Sequence, residues 1–362
     1  MDPRIREHAE TIATHSTGIE AGDMVVVQLP PAAEDLAVAL HEICGDRGAQ
    51  PVFLSYSQRA DRAYKRAADS FEEPAHRRAL YEETDVFVIA RGGANVTEGA
   101  DVAPETNAAY NRAMEAVKRE RLSKRWCLTQ YPTAGHAQLA GMSTEAYEDF
   151  VWDAVSIDWE SQGAFQAQLV EILDDAETVR IRSGDETDLT MSIAGNTAEN
   201  DTGEANLPGG EVFTAPVRES VSGVVHFDLP LYRYGREIDG VKLRFEDGRV
   251  VSHAADRNEE LLTGILETDE GSRYLGELGI GMNRAIDQFT YNMLFDEKMG
   301  DTVHMAVGSA YPETVGETTT VNESAEHVDM IVDMSVDSVI EVDGEVIQRD
   351  GTFVFEGGFE TA

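Results

Sequence analysis

Between Met24 and Pro132 short, nearly continuous apolar runs alternate with stretches of helical periodicity. MVVVQLP (Met24–Pro30), PVFLSYS (Pro51–Ser57), TDVFVIARG (Thr84–Gly92) and RWCLTQYP (Arg125–Pro132) are largely apolar on both faces of an extended chain, as strands covered on both sides must be. Helices are expected between them, from about Ala33 to Arg47, after Ser57, and from Thr106 to Leu122. This βαβα rhythm predicts an α/β N-terminal domain with a mainly parallel, helix-covered sheet. Helices near Thr144–Ile157 and Gln162–Asp174 complete it.

After Ala176 the period changes from that of a helix to that of a strand, as in ETVRIRSG (Glu177–Gly184) and TDLTMSIAG (Thr187–Gly195), so domains of residues 1–176 and 177–362 are expected. VVHFDLPLY, from Val224, and VKLRFEDGRVVSHAAD continue the alternation, with Asp247-Gly248 as a hairpin turn. SVIEVDGEVIQRDGTFVF repeats the style around Asp343-Gly344 and Asp350-Gly351. One helix, about Arg257–Glu267, interrupts the strands, which makes the C-terminal domain α+β. The polar stretch Gly195–Asn206 is expected to be a surface loop.

Charge changes this picture more than composition does. The chain of 362 residues carries 68 Asp and Glu against 29 Lys and Arg, a formal net charge of -39. The acids are interleaved with the apolar periodic segments, so they belong to a folded surface rather than to a disordered tail. Lysine is confined to Lys65, Lys118, Lys124, Lys242 and Lys298. Such a surface suits high salt, where a Debye length of about 3 Å at 1 M screens self-repulsion. It argues against nucleic acid or an anionic membrane as a partner, since both are held by clustered cations. Cys44 and Cys127 are too few for a disulfide framework and are expected as buried thiols. No apolar stretch reaches the ~18 residues of a membrane span and the N-terminus lacks a signal-peptide core, so the expected compartment is the cytoplasm.

Four segments of the C-terminal half carry metal-capable side chains in unusual surroundings. In NLPGGEVFTAP (Asn206–Pro216), Pro208, Gly209 and Gly210 make a sharp turn before Glu211. In YLGELGIGMN (Tyr274–Asn283), Glu277 stands in an apolar, glycine-rich run where a carboxylate needs a partner. In LFDEKMGDTVHMAVGSAYP (Leu294–Pro312), strand alternation places His304 on one face with Ala306 and Gly308, and Tyr311 follows at a strand-to-loop transition. In HVDMIVD (His327–Asp333), His327 and Asp329 are two apart and converge, whereas Asp333 lies roughly 13 Å beyond Asp329 along a strand. Each residue alone has an ordinary structural reading: an edge glutamate, a hydrogen-bonded core histidine, a packed tyrosine. Together, three carboxylates and two histidines form the ligand mixture of a pair of divalent ions such as Zn, Co, Mn or Mg. Two ions about 3.5–4 Å apart activate water and polarise a carbonyl, which suits peptide hydrolysis.

These four motifs, in this order, resemble those of the aminopeptidase T and aminopeptidase S family of metallopeptidases. The resemblance covers Ala205–Asp333 tightly and the earlier RLSKRWCLTQYPT and MSTEAYEDFVWDA loosely. It implies a two-metal aminopeptidase acting on peptide substrates, with Glu211, Glu277, His304, His327 and Asp329 on ligand positions. It also implies Tyr311 at or beside the metals, and a homodimer enclosing the active site. In such a site Glu277 would bridge the ions or act as base, and Tyr311 would donate to a developing oxyanion. Gly210 and Asp301 depart slightly from the family pattern, and the chain is shorter than typical members. Two rivals stand beside this reading. An Fe(II)-dependent ring-cleaving dioxygenase of the same fold needs only a facial site around His304, His327 and Asp329. A non-catalytic protein would instead hold a small ligand at the strand ends of the N-terminal sheet, although GGANVTEG (Gly92–Gly99) lacks the dinucleotide fingerprint.

Overall fold

A computed structural model describes residues 1–360 apart from Tyr234. The chain divides into two compact units, one of residues 1–157 and 203–209, the other of residues 158–202 and 210–362. This division falls one helix earlier than position 176. The helix Trp159–Asp174 belongs to the second unit because Leu169 and Leu173 pack into that unit's core.

In the first unit five parallel strands lie in the order Gln50–Ser55, Met24–Leu29, Val86–Arg91, Arg125–Gln130, Asn206–Leu207. Val25, Val26 and Val27, and Val86 through Ala90, are buried without alternation, which is why these runs read as continuous apolar stretches. The helices Glu34–Arg47, Pro104–Leu122 and Thr144–Val155 fall where helical periodicity places them, to within a few residues. Cys44 and Cys127 are buried free thiols. His8, on the helix Pro3–Thr11, is fully buried with Nε2 2.8 Å from Thr129 Oγ1 and its ring edge-on to Trp152. Burial alone lowers its pKa to about 3, so the ring is neutral. No helix of the described residues is long and apolar enough to cross a membrane.

The second unit contains an eight-stranded antiparallel sheet in the order Arg249–Ala254, Val241–Glu246, Ser222–Phe227, Thr187–Ser192, Thr178–Ser183, Ser338–Val342, Glu345–Arg349, Thr352–Phe353. Its hairpins turn at Asp247-Gly248, Asp343-Gly344 and Asp350-Gly351. Both residues of each pair have positive φ, the conformation that makes Asp-Gly a hairpin signal.

A second antiparallel sheet of this unit is built from β1 (Glu199–Asp201), β2 (Glu211–Thr214), β3 (Leu275–Gly281), β4 (Thr302–Gly308) and β5 (His327–Asp333), in the order β5-β4-β3-β2-β1. The polar stretch expected as a surface loop therefore supplies β1. Its polarity reflects an edge strand paired on one side only. One face of this sheet joins the core through Val212, Leu278, Ile280, Val303, Met305, Val307, Val328, Met330 and Val332. The alternate positions form the opposite face, and all the candidate ligands lie there.

Candidate metal centre

The register of β2–β5 brings Glu211, Glu277, His304, His327 and Asp329 together although 118 positions separate the first from the last. Each faces a glycine or alanine on a neighbouring strand. Glu211 lies opposite Gly281, His304 opposite Gly279, Glu277 and Asp329 opposite Ala306, and His327 opposite Gly308. The small partners leave space above the sheet that side chains from four adjacent strands can share.

Two overlapping groups result. Ligand atoms of Glu211, Glu277 and His304 lie within 4.8 Å of one another, as do those of Glu277, His327 and Asp329. His304 Nε2 is 3.2 Å from Glu211 Oε2 and 3.3 Å from Glu277 Oε1. His327 Nε2 is 3.2 Å from Glu277 Oε2 and 3.4 Å from Asp329 Oδ1. Glu277 thus offers one oxygen to each group. Glu211 Oε2 and Glu277 Oε2 are buried and face only these imidazole nitrogens, without a well-formed hydrogen bond, an arrangement that a cation between them would satisfy. His327 Nδ1 lies 2.8 Å from the Ser309 carbonyl, which can only accept, so Nδ1 carries the proton and the lone pair of a neutral ring is on Nε2.

The electrostatics of this face favour positive charge. Burial lowers the His304 pKa, but the Glu277 hydrogen bond and the Glu211 carboxylate outweigh it and carry it to about 9. Burial likewise opposes protonation of His327, yet Asp329 and Glu277 lift it to about 11. For Asp329, burial is outweighed by the His327 hydrogen bond and charge, and its pKa falls to about 2. Glu211 rises to about 8 because burial exceeds the effect of Lys298. Tyr311 is 43% exposed as a residue, and its ring lies 5.0 Å from that of His327 and 5.8 Å from that of Phe213. Burial of its phenol and the surrounding carboxylates push the pKa far above the usual value, so the hydroxyl stays protonated and able to donate.

Lys298 and Glu297 at this face, and Gln166 on the core side of the sheet, are not singled out by the motifs. Lys298, fully buried, sets its ammonium 3.0 Å from Glu211 Oε1 and 3.7 Å from Asp201 Oδ2, and pairs with Glu297. Gln166, fully buried on the helix Trp159–Asp174, donates to the backbone carbonyls of Glu211 (2.9 Å) and Asp201 (3.0 Å). Glu297 and Lys298 lie within a quoted motif, and the scarcity of lysine was the one signal that could have marked Lys298.

A sheet face with two histidines and three carboxylates, paired about one shared glutamate, has the donor set of a divalent-metal protein. Comparison with known proteins agrees. Residues 1–358 match the Peptidase M29 family, described as thermophilic metalloprotease, and the chain belongs to that family of metal-dependent peptidases. Aminopeptidase 2 of Geobacillus stearothermophilus is 27% identical over 98% of both chains. Aminopeptidase AmpS of Bacillus subtilis is 38% identical over an aligned stretch covering 47% of each. Among solved structures, wild-type AmpT of Thermus thermophilus superposes with a TM-score of 0.85 at 25% identity, covering 97% of this chain and 99% of that one. The 2,5-dihydroxypyridine dioxygenase of Pseudomonas putida shares the fold, with a TM-score of 0.62 at 14% identity and 98% coverage of both chains.

Proposed function

We propose that this protein is a two-metal aminopeptidase. The observation that carries the two-ion reading is the division of Glu277, one oxygen toward His304 and Glu211, the other toward His327. Glu211, Glu277 and His304 would hold one divalent ion, and Glu277, His327 and Asp329 the other, drawn from Zn, Co, Mn or Mg. When bound, the ions supply Lewis-acid polarisation of the scissile carbonyl and an activated water. The Ser309 carbonyl fixes the His327 ring, and the glycine and alanine partners keep the face open to substrate. Tyr311 keeps its proton, its ring lies beside that of His327, and it would donate to the oxyanion that forms on the substrate. A carboxylate near the ions would receive the substrate's free ammonium group. The names of the aminopeptidase relatives support this choice of substrate end.

The same reading includes a cytoplasmic homodimer adapted to high salt, supported by the charge of -39 and the scarcity of lysine for the last of these. A ring-cleaving dioxygenase would use one iron and leave the Glu211 and Glu277 oxygens in the buried group without a task. Metal content per chain, measured in high salt together with hydrolysis of a leucyl peptide and of its N-acetylated form, tests the proposal. Two ions and amine-dependent hydrolysis are expected. Equal turnover of the blocked peptide would refute aminopeptidase action, and a single iron with oxygen uptake would move the chain to the dioxygenases.

A further inference from the structure

Of the five lysines, Lys298 alone is completely buried, and its ammonium is ion-paired with three carboxylates: Glu211, Glu297 and Asp201. Glu297 and Glu211 lie within hydrogen-bond distance of the ammonium, and Asp201, at 3.7 Å, adds a third negative charge as an ion pair. Its main chain is fastened as well. The Lys298 carbonyl accepts from Asn283 N–H at 3.0 Å, and its own N–H donates to the Phe295 carbonyl at 2.9 Å. The side chain therefore starts from a fixed point just beyond the end of β3, and its reach to Glu211 is set by the fold.

The consequence falls on Glu211. Its Oε1 is taken by Lys298 at 3.0 Å, and its Oε2 points at His304 Nε2 at 3.2 Å. A free carboxylate can rotate, chelate through both oxygens or withdraw toward solvent; one held this way does none of these. The other group is built differently, with the oxygens of Glu277 and Asp329 facing imidazoles. We infer that Lys298 is the positioning residue of the metal centre, holding one oxygen of Glu211 so that the other alone is presented to the Glu211–Glu277–His304 position. This inference rests on the two-ion reading. It makes the two positions unequal: one depends on a buried cation outside the ligand set, the other does not.

A lysine that served the fold alone would leave metal affinities untouched in any variant that still folded. The test is titration of the full-length protein with Co(II) in high salt, read by calorimetry and by visible absorption, which reports the coordination of each ion. Wild type is expected to take up two ions. Lys298→Met is expected to bind one with wild-type affinity and spectrum, and the second about 10- to 100-fold more weakly, the usual effect of removing a partner behind a ligand. Because Lys298→Met leaves buried carboxylates unbalanced, the double variant Lys298→Met/Glu297→Gln, which keeps the net charge, is measured beside it and should show the same selective loss. Two ions at wild-type affinity in a folded variant would overturn the inference, as would equal weakening at both positions or failure of both variants to fold. One ion in wild type would instead overturn the two-ion reading itself, and the inference with it.

Discussion

Gly279 of β3 lies directly opposite His304 of β4, and the imidazole occupies the space that a Cβ at position 279 would need. The ring can lie flat toward Glu211 and Glu277 only because its cross-strand partner has no side chain. Gly279→Ala is expected to displace the ring and lower kcat by about 10²-fold, the scale of a 1 Å misplacement at a reacting centre. Steady-state kinetics with metal analysis of the same sample checks this; unchanged kcat would show that the ring's position is unimportant.

Glu277 and Asp329 differ in what they join. Removing a shared ligand should disturb both ions, and removing an unshared one only its own. Glu277→Gln is expected to reduce bound metal to well below one ion per chain, whereas Asp329→Asn should retain close to one. Elemental analysis after gel filtration in high salt distinguishes them, and equal stoichiometry in the two variants would refute the shared role of Glu277.

Tyr311 tests the oxyanion role separately from metal binding. Its phenol remains protonated at any working pH and the residue is partly exposed, so Tyr311→Phe should fold and load metal normally. Loss of a single oxyanion donor costs on the order of 10²- to 10³-fold in kcat. That fall is expected with little change in KM; a change in KM alone would assign Tyr311 to substrate binding.

His8 makes the first unit acid-sensitive. Its folded pKa is about 3, against an unfolded value of about 6.5, so only the unfolded chain takes up the proton between these limits. Its neutral burial costs no stability above about pH 6.5, and stability is lost progressively as the pH falls toward 3, by up to roughly 5 kcal/mol. Trp152, whose ring centroid lies 5.4 Å from that of His8, gives a local fluorescence signal for unfolding. His8→Leu should flatten the acid limb of the denaturation midpoint measured at Trp152; parallel pH profiles in the two proteins would remove His8 as the cause.

The net charge predicts a salt response of the whole molecule. Raising KCl from about 0.1 M to 1 M shortens the Debye length from ~10 Å to ~3 Å and should raise the thermal midpoint. A midpoint independent of salt would count against adaptation to a saline interior.

Much of the architecture was legible because it rests on local regularities. Continuous apolar runs marked the buried parallel strands, and Asp-Gly pairs marked hairpins whose backbone takes positive φ at both residues. His327 and Asp329 could be paired from the two-residue period of a strand. Other features were hidden. The edge strand Glu199–Asp201 is too polar to show a strand pattern, and the helix Trp159–Asp174 is assigned to its unit by packing, which periodicity does not report.

The chain by itself determined which side chains could ligate a metal and which side of each strand they occupy, since alternation is a property of the covalent backbone. Tertiary structure decided their distances. The order β5-β4-β3-β2-β1, with its bulge between Leu275 and Glu277, sets one oxygen of Glu277 toward each histidine. It also buries Lys298 against Glu211 across 87 positions of sequence. Such contacts follow from register and from the path of a connecting loop. Both are fixed by the packing of many residues at once, which is why motif spacing marked the candidate ligands but not the cation that stands behind one of them.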